Sequence, residues 1–121
     1  MTASPKVLIV DDQQLIAFSL AAMLEANGFE IVGPCANVSS ALTCLADSNP
    51  DIAILDINMG DGTTSERLAL ELMNKNVPFA FVTGYGSAEI ISPRFKDVIK
   101  MHKPVSSAKF VKMVKSLAPA L

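Results

Sequence analysis

The chain has 121 residues, half of them apolar, with 10 basic and 12 acidic side chains and a formal net charge of −2. That is the length of one domain and enough apolar material for a core without disulfides or structural zinc, and it excludes a disordered chain. No run is long enough to span a membrane, no apolar stretch of signal-peptide type precedes the first strand, and no basic face dominates, so a cytoplasmic protein that binds neither membrane nor nucleic acid is expected.

Taken in order, Lys6 to Val10 predicts a first, buried strand. Asp11 and Asp12 follow it directly. Apolar residues at Leu15, Ile16, Phe18, Leu20, Met23 and Leu24 then predict a helix packed on one face over 13–27, stopped by Gly28. Phe29 to Val32 reads as a second strand ended by Gly33-Pro34, and Val38 to Ala46 as a second helix capped by Asn37 or Ser39. Ile52 to Leu55 is a third strand, again ending in an acid, Asp56. After the loop Asn58-Met59-Gly60-Asp61-Gly62, Thr64 or Ser65 opens a third helix that carries Leu68, Leu70, Leu72 and Met73. Val77 to Val82 forms a fourth strand, followed by Thr83-Gly84-Tyr85-Gly86. A short helix around Ser87 to Ile91 comes before Pro93. Val98 to Met101 is the fifth strand, and Ser106 or Ser107 caps a last helix through about Leu117. There Lys109, Lys112 and Lys115 fall at helical spacing and read as a solvated face. Cys35 and Cys44 match no metal or redox spacing and read as isolated, buried thiols. Five alternations of short apolar strand and helix predict a doubly wound α/β sandwich with a parallel sheet.

In the order 2-1-3-4-5 the crevice lies between strands one and three, at the carboxyl ends. Asp11 and Asp12 after strand one, Asp56 after strand three, Thr83 after strand four and Lys103 after strand five all reach that edge. Adjacent carboxylates repel and lose hydration unless a cation sits between them, and hard oxygen donors suit Mg²⁺. Such a site also suits a phosphoryl group. Metal and Lys103 would neutralise its charge, Thr83 would donate a hydrogen bond, and one carboxylate would act as nucleophile. Asp56, alone on the central strand, is the candidate nucleophile, and Asp11 and Asp12 are better placed as metal ligands.

With these residues in this order, the chain resembles the receiver domain of two-component response regulators over essentially its whole length, 1–121. The resemblance implies a flavodoxin-like (βα)5 fold and transfer of a phosphoryl group from a histidine kinase, or a histidine phosphotransfer protein, to Asp56. It also implies Mg²⁺ held by Asp11, Asp12, Asp56 and the backbone carbonyl of Asn58, and a cis Lys103-Pro104 peptide. Two departures stand out: Gly60 where many receivers have proline, and Lys100 where many have a switching aromatic. The segment Phe81-Val82-Thr83-Gly84 resembles instead a largely alphaproteobacterial subgroup with a Phe-Ala-Thr-Gly motif, whose kinases are often of the HWE or a related type.

Other residues keep two readings. Tyr85 either takes over the readout or packs on the fourth helix. Gly84 either leaves room for a phosphoryl group or serves the turn, and Lys100 either makes a charge contact on a partner surface or is solvated. His102 reads as a surface residue and Asp61 as a turn acid. An aspartyl-phosphate hydrolase of haloacid-dehalogenase type would need a second acid where Asn58 stands. A docking domain that needs no phosphorylation would be expected to lack one of the site residues. A signalling switch that is not an enzyme is therefore expected, acting through the surface of the fourth helix, fifth strand and last helix. The expectation is a stand-alone switch with no DNA-binding module after Leu121, or else a receiver cut from a larger protein.

Overall fold

The computed structural model describes residues 4–60, 62–84 and 91–118. Along the described chain run β1 (Lys6–Val10), α1 (Gln14–Glu25), β2 (Glu30–Cys35), α2 (Val38–Ser48), β3 (Ile52–Leu55), α3 (Glu66–Asn74), β4 (Phe79–Thr83), a 3-10 turn (Pro93–Phe95), β5 (Lys100–His102) and α4 (Ser107–Leu117). The strands form one parallel sheet in the order β2-β1-β3-β4-β5, as expected. The expected helix over 87–91 falls almost wholly outside the described residues, as do Tyr85 and Asp61.

Successive side chains of a strand point to opposite faces, and this alternation divides the core in two. Val7, Ile9, Ile52, Ile54, Ala80 and Val82 pack with Leu20 and Leu24 of α1 and with Phe110 and Val114 of α4. On the other face Leu8, Val10, Ala53, Leu55, Phe79 and Phe81 pack with Leu45 of α2, Leu68 and Leu72 of α3, and Phe95. Both faces are covered, which is why β1 and β3 are continuous apolar runs.

Several boundaries and faces differ from expectation. β2 continues through Gly33-Pro34 to Cys35. It is an edge strand, where a missing N–H is tolerated, and its register with β1 slips between Leu8 and Val10, so one extra residue is absorbed there. α2 runs on to Ser48, with Asn37 as its cap: the Asn37 Oδ1 accepts the Ser40 N–H at 2.8 Å. β4 and β5 each begin two residues later than expected.

The buried stripe of α1 is Ala17, Leu20, Ala21 and Leu24, whereas Leu15 is 89% and Phe18 59% exposed. At 3.6 residues per turn Leu15 lies about half a turn from that stripe. Periodicity had drawn too many apolar residues onto one face. Leu70 and Met73 of α3 likewise lie outside its buried set. Lys109, Lys112 and Lys115 are exposed, as is His102.

Lys100 is neither solvated nor a free surface charge. Its ammonium donates to the Phe95 carbonyl at 2.8 Å and the Val98 carbonyl at 3.2 Å, and lies 5.9 Å from the Phe81 ring centre. Phe79, Phe81 and Phe95 meet edge to face beneath it, with centroids 5.7 to 6.4 Å apart. Lys100→Met keeps the stem and removes the donor, and should lower unfolding free energy by about 1 kcal/mol in urea titration. An unchanged midpoint would mean the two carbonyl contacts contribute nothing.

Candidate functional site

The sheet ladder does not stop with the strands. The Asp11 N–H donates to the Cys35 carbonyl at 3.0 Å, the Asp56 N–H to the Val10 carbonyl at 2.9 Å, and the Lys103 N–H to the Thr83 carbonyl at 2.9 Å. Residues just beyond β1, β3 and β5 are thereby held on the lattice of the sheet, and their side chains converge at its carboxyl edge.

Asp11 is 1%, Asp56 6% and Thr83 0% exposed. Thr83 donates its hydroxyl to Asp56 Oδ1 at 3.1 Å. Lys103 donates to Asp11 Oδ2 at 2.7 Å, Asp56 Oδ2 at 3.0 Å and Gln13 Oε1 at 3.2 Å. One ammonium thus bridges two buried carboxylates, which would otherwise be costly to bury so close together. Burial holds the Asp11 carboxyl above its ordinary range, outweighing the hydrogen bonds from Lys103 and the Gln13 N–H. Burial works to lower the Lys103 pKa, but the hydrogen bonds with Asp11 and Asp56 together outweigh it and hold the ammonium more firmly protonated than usual.

Asp12 differs from its neighbour in being exposed. A carboxylate oxygen from each of Asp11, Asp12 and Asp56 lies within 4.8 Å of the others. This all-oxygen, acidic donor set fits a hard divalent cation. Asn58 lies beside it. Its backbone forms a bridge with Thr64 in which Met59 donates to Thr63 and Ser65 to Ile57, so those bonds do not use the Asn58 carbonyl. The Lys103–Pro104 peptide is cis.

A cavity of about 200 Å³ opens over these groups, lined by Asp12, Gln13, Asp56, Asn58, Gly60, Gly84 and Lys103. Gly60 has a φ of +87°, and a Cβ there would stand 3.2 Å from Asp12 Oδ2. A proline, with φ fixed near −65°, could not adopt this backbone. That accounts for the departure at this position. Gly84 has no such backbone demand, and a Cβ on it would meet nothing within 4 Å among the described residues. Of its two readings, open space beside Thr83 is the one the geometry favours.

All six expected site residues, Asp11, Asp12, Asp56, Asn58, Thr83 and Lys103, stand around one cavity or in direct contact with its lining. Gln13 was missed. It binds Asp11 through its N–H at 2.9 Å and Lys103 through its side-chain oxygen. Its place right after the acidic pair was the available signal.

A sequence model of the response regulator receiver domain matches residues 7–115. The chain belongs to this family. Receiver domains are phosphoacceptor signalling switches that take phosphoryl groups from histidine kinases or phosphotransfer proteins and bind Mg²⁺ at an acidic site. The phyllosphere-induced regulator PhyR of Methylorubrum extorquens is 27% identical over 105 residues, 85% of this chain and 39% of the relative. The solution structure of SdrG from Sphingomonas melonis Fr1 superposes with a TM-score of 0.84 at 34% identity, covering 97% of this chain and 98% of SdrG. The BeF3-activated conformation of SdrG from Pseudomonas melonis Fr1 has the same identity and coverage and a TM-score of 0.78. These likenesses fit the subgroup to which Phe81-Val82-Thr83-Gly84 pointed. The chain spans about two fifths of PhyR's length.

Proposed function

We propose that residues 1–121 act as one receiver domain in which Asp56 accepts the phosphoryl group. The observation that carries this is the pairing of both Asp56 oxygens, one with the Thr83 hydroxyl and one with the Lys103 ammonium, at the floor of the cavity. In the transfer, an Asp56 oxygen attacks phosphorus in line, the bond from phosphorus to the donor nitrogen or oxygen breaks, and the electron pair leaves with the donor. Lys103 then faces phosphoryl oxygens as well as Asp11, and Thr83 exchanges one oxygen acceptor for another. Asp11, Asp12, Asp56 and the Asn58 carbonyl would hold Mg²⁺, which when bound supplies positive charge against the phosphoryl oxygens. Asn58, with its side chain accepting the Gly60 N–H at 3.0 Å, offers no acid to a water, which favours a switch over a phosphohydrolase.

The donor we infer is a histidine kinase, of the HWE or a related type, or a histidine phosphotransfer protein, in the cytoplasm. An apolar groove adjoins the acceptor cavity and shares Gln13 and Lys103 with it; Leu15, Ile16, Met23 and Val105 line it. A protein that delivers its phosphoryl group to Asp56 meets the cavity rim, and this groove is the apolar surface that adjoins the rim at Gln13 and Lys103. Leu15→Glu should therefore slow transfer from a phosphorylated kinase at least roughly tenfold and leave uptake from acetyl phosphate unchanged. Equal slowing from both donors would remove the groove from the interface.

The test of the function itself is incubation with acetyl phosphate and Mg²⁺, then intact-mass measurement and peptide mapping. A single phosphoryl adduct on the peptide that carries Asp56 is expected, absent when divalent metal is chelated. No adduct, or one on another peptide, overturns the proposal. Beryllofluoride should occupy the same site and block uptake. Asp12→Asn tests the metal half. Removing an exposed carboxylate from a crowded acidic site should leave or slightly raise metal-free stability, while the rise in Tm on adding Mg²⁺ largely disappears. A Tm that still rises as in the parent protein would exclude Asp12 as a ligand.

A further inference from the structure

Two thiols that the phosphoacceptor site does not use touch each other at the edge of the sheet. Cys35 ends β2 and Cys44 lies in α2; their Sγ atoms are 3.2 Å apart, with the Cys35 S–H donating to Cys44. They were expected to be isolated, and they are not. A covalent S–S bond is about 2.05 Å long, so the sulfurs need close by only ~1 Å. Exposure separates the two chemically. Cys35 is buried and Cys44 half-buried, so a solute reaches Cys44 first. Burial, and after it the hydrogen bond to Cys44, pushes the Cys35 thiol up to about 12, which makes it a poor first nucleophile.

We propose that Cys35 and Cys44 are a modification site that a hydroperoxide converts to a reversible intrachain disulfide. The Cys44 sulfur, as thiolate, attacks one peroxide oxygen and the O–O bond breaks. Cys44 becomes a sulfenic acid, and the departing oxygen leaves as water or alcohol after taking a proton. The Cys35 sulfur then attacks Cys44 sulfur, the S–O bond breaks, and the hydroxide leaves as water with the Cys35 proton. Two thiols lose two electrons in all, and the peroxide gains them. A small dithiol reverses the change by exchange. The bond would tie α2 to the strand end whose Cys35 carbonyl holds the Asp11 N–H.

The chain contains only two cysteines, so unmodified protein suffices for the test. Reduced protein is treated with stoichiometric hydrogen peroxide, blocked with iodoacetamide and weighed intact without reductant. The expected product is a monomer two hydrogen atoms lighter that takes up no alkyl group, and dithiothreitol should restore two alkylatable thiols. Two thiols that remain alkylatable would overturn the proposal, as would cysteine sulfinic acid or a disulfide-linked dimer as the main product. In Cys44→Ser, Cys35 should stay unoxidised at the same dose; its oxidation at the parent's rate would overturn the assigned order of attack.

Discussion

Asp56→Asn should take up no phosphoryl group from acetyl phosphate while staying folded, and Asp56→Ala should be the less stable of the two variants. In the asparagine variant the side-chain oxygen still accepts the Thr83 hydroxyl, now held to Asp56 at 3.1 Å. The amide nitrogen replaces the oxygen that faces Lys103, but Lys103 keeps Asp11 at 2.7 Å. One of three crowded carboxylates is also gone, so the net stability change should stay within about 1 kcal/mol. Alanine instead strands the Thr83 hydroxyl, 0% exposed, without its acceptor. Leaving a buried polar group unpaired costs about 1–3 kcal/mol. Intact mass and urea unfolding read the two effects separately. A phosphoryl adduct that persists in Asp56→Asn would move the acceptor elsewhere.

Lys103→Met should be the most damaging single change within the site to metal-free stability, at about 3 kcal/mol. The ammonium touches Asp11 and Asp56, whose side chains are only 2% and 8% exposed, and its own is 12% exposed. Among the described residues, no other ion pair to these carboxylates is present. Methionine preserves the stem's packing, so the loss isolates the charge. Added Mg²⁺ should raise the variant's Tm more than the parent's, because the divalent cation then answers a larger imbalance. A variant as stable as the parent without metal would mean that the carboxylates are solvated well enough to need no lysine. Phosphoryl uptake should continue, slowed roughly tenfold or more.

The fold was legible because its signals were redundant. The runs Val7–Val10 and Ile52–Leu55 are apolar throughout, each ends in an acid, and both proved to be central strands buried on both faces. Where only one signal was present, the reading slipped. Gly33-Pro34 looked like a strand end, yet an edge strand can carry a residue without N–H. Leu15 and Phe18 looked like core by type, but the sequence alone did not reveal that the alanines at 17 and 21, small and unremarked, complete the packed stripe with Leu20 and Leu24. Asp11-Asp12 read as metal ligands, and the local bonds of Asp11 were not foreseen. Its Oδ1 accepts the Gln13 N–H ahead of α1, and its Oδ2 meets Lys103. Lys100 and the cysteine pair depend on how the chain folds back between partners 5 and 9 residues apart, and no residue-type pattern announces them.

The division of the core by the sheet has a bearing on how this chain tolerates change. Leu24 and Leu72 belong to separate compartments with a layer of backbone between them. Substitutions without shared neighbours combine almost additively, whereas those in one compartment, such as Leu24 and Phe110, repack against each other. The helices on one side can therefore drift in sequence with little response from those on the other. The carboxyl edge is different: Asp11, Asp56 and Thr83 stand at the ends of strands that carry both compartments, and Lys103 bridges two of them. A substitution there is felt on both sides of the sheet.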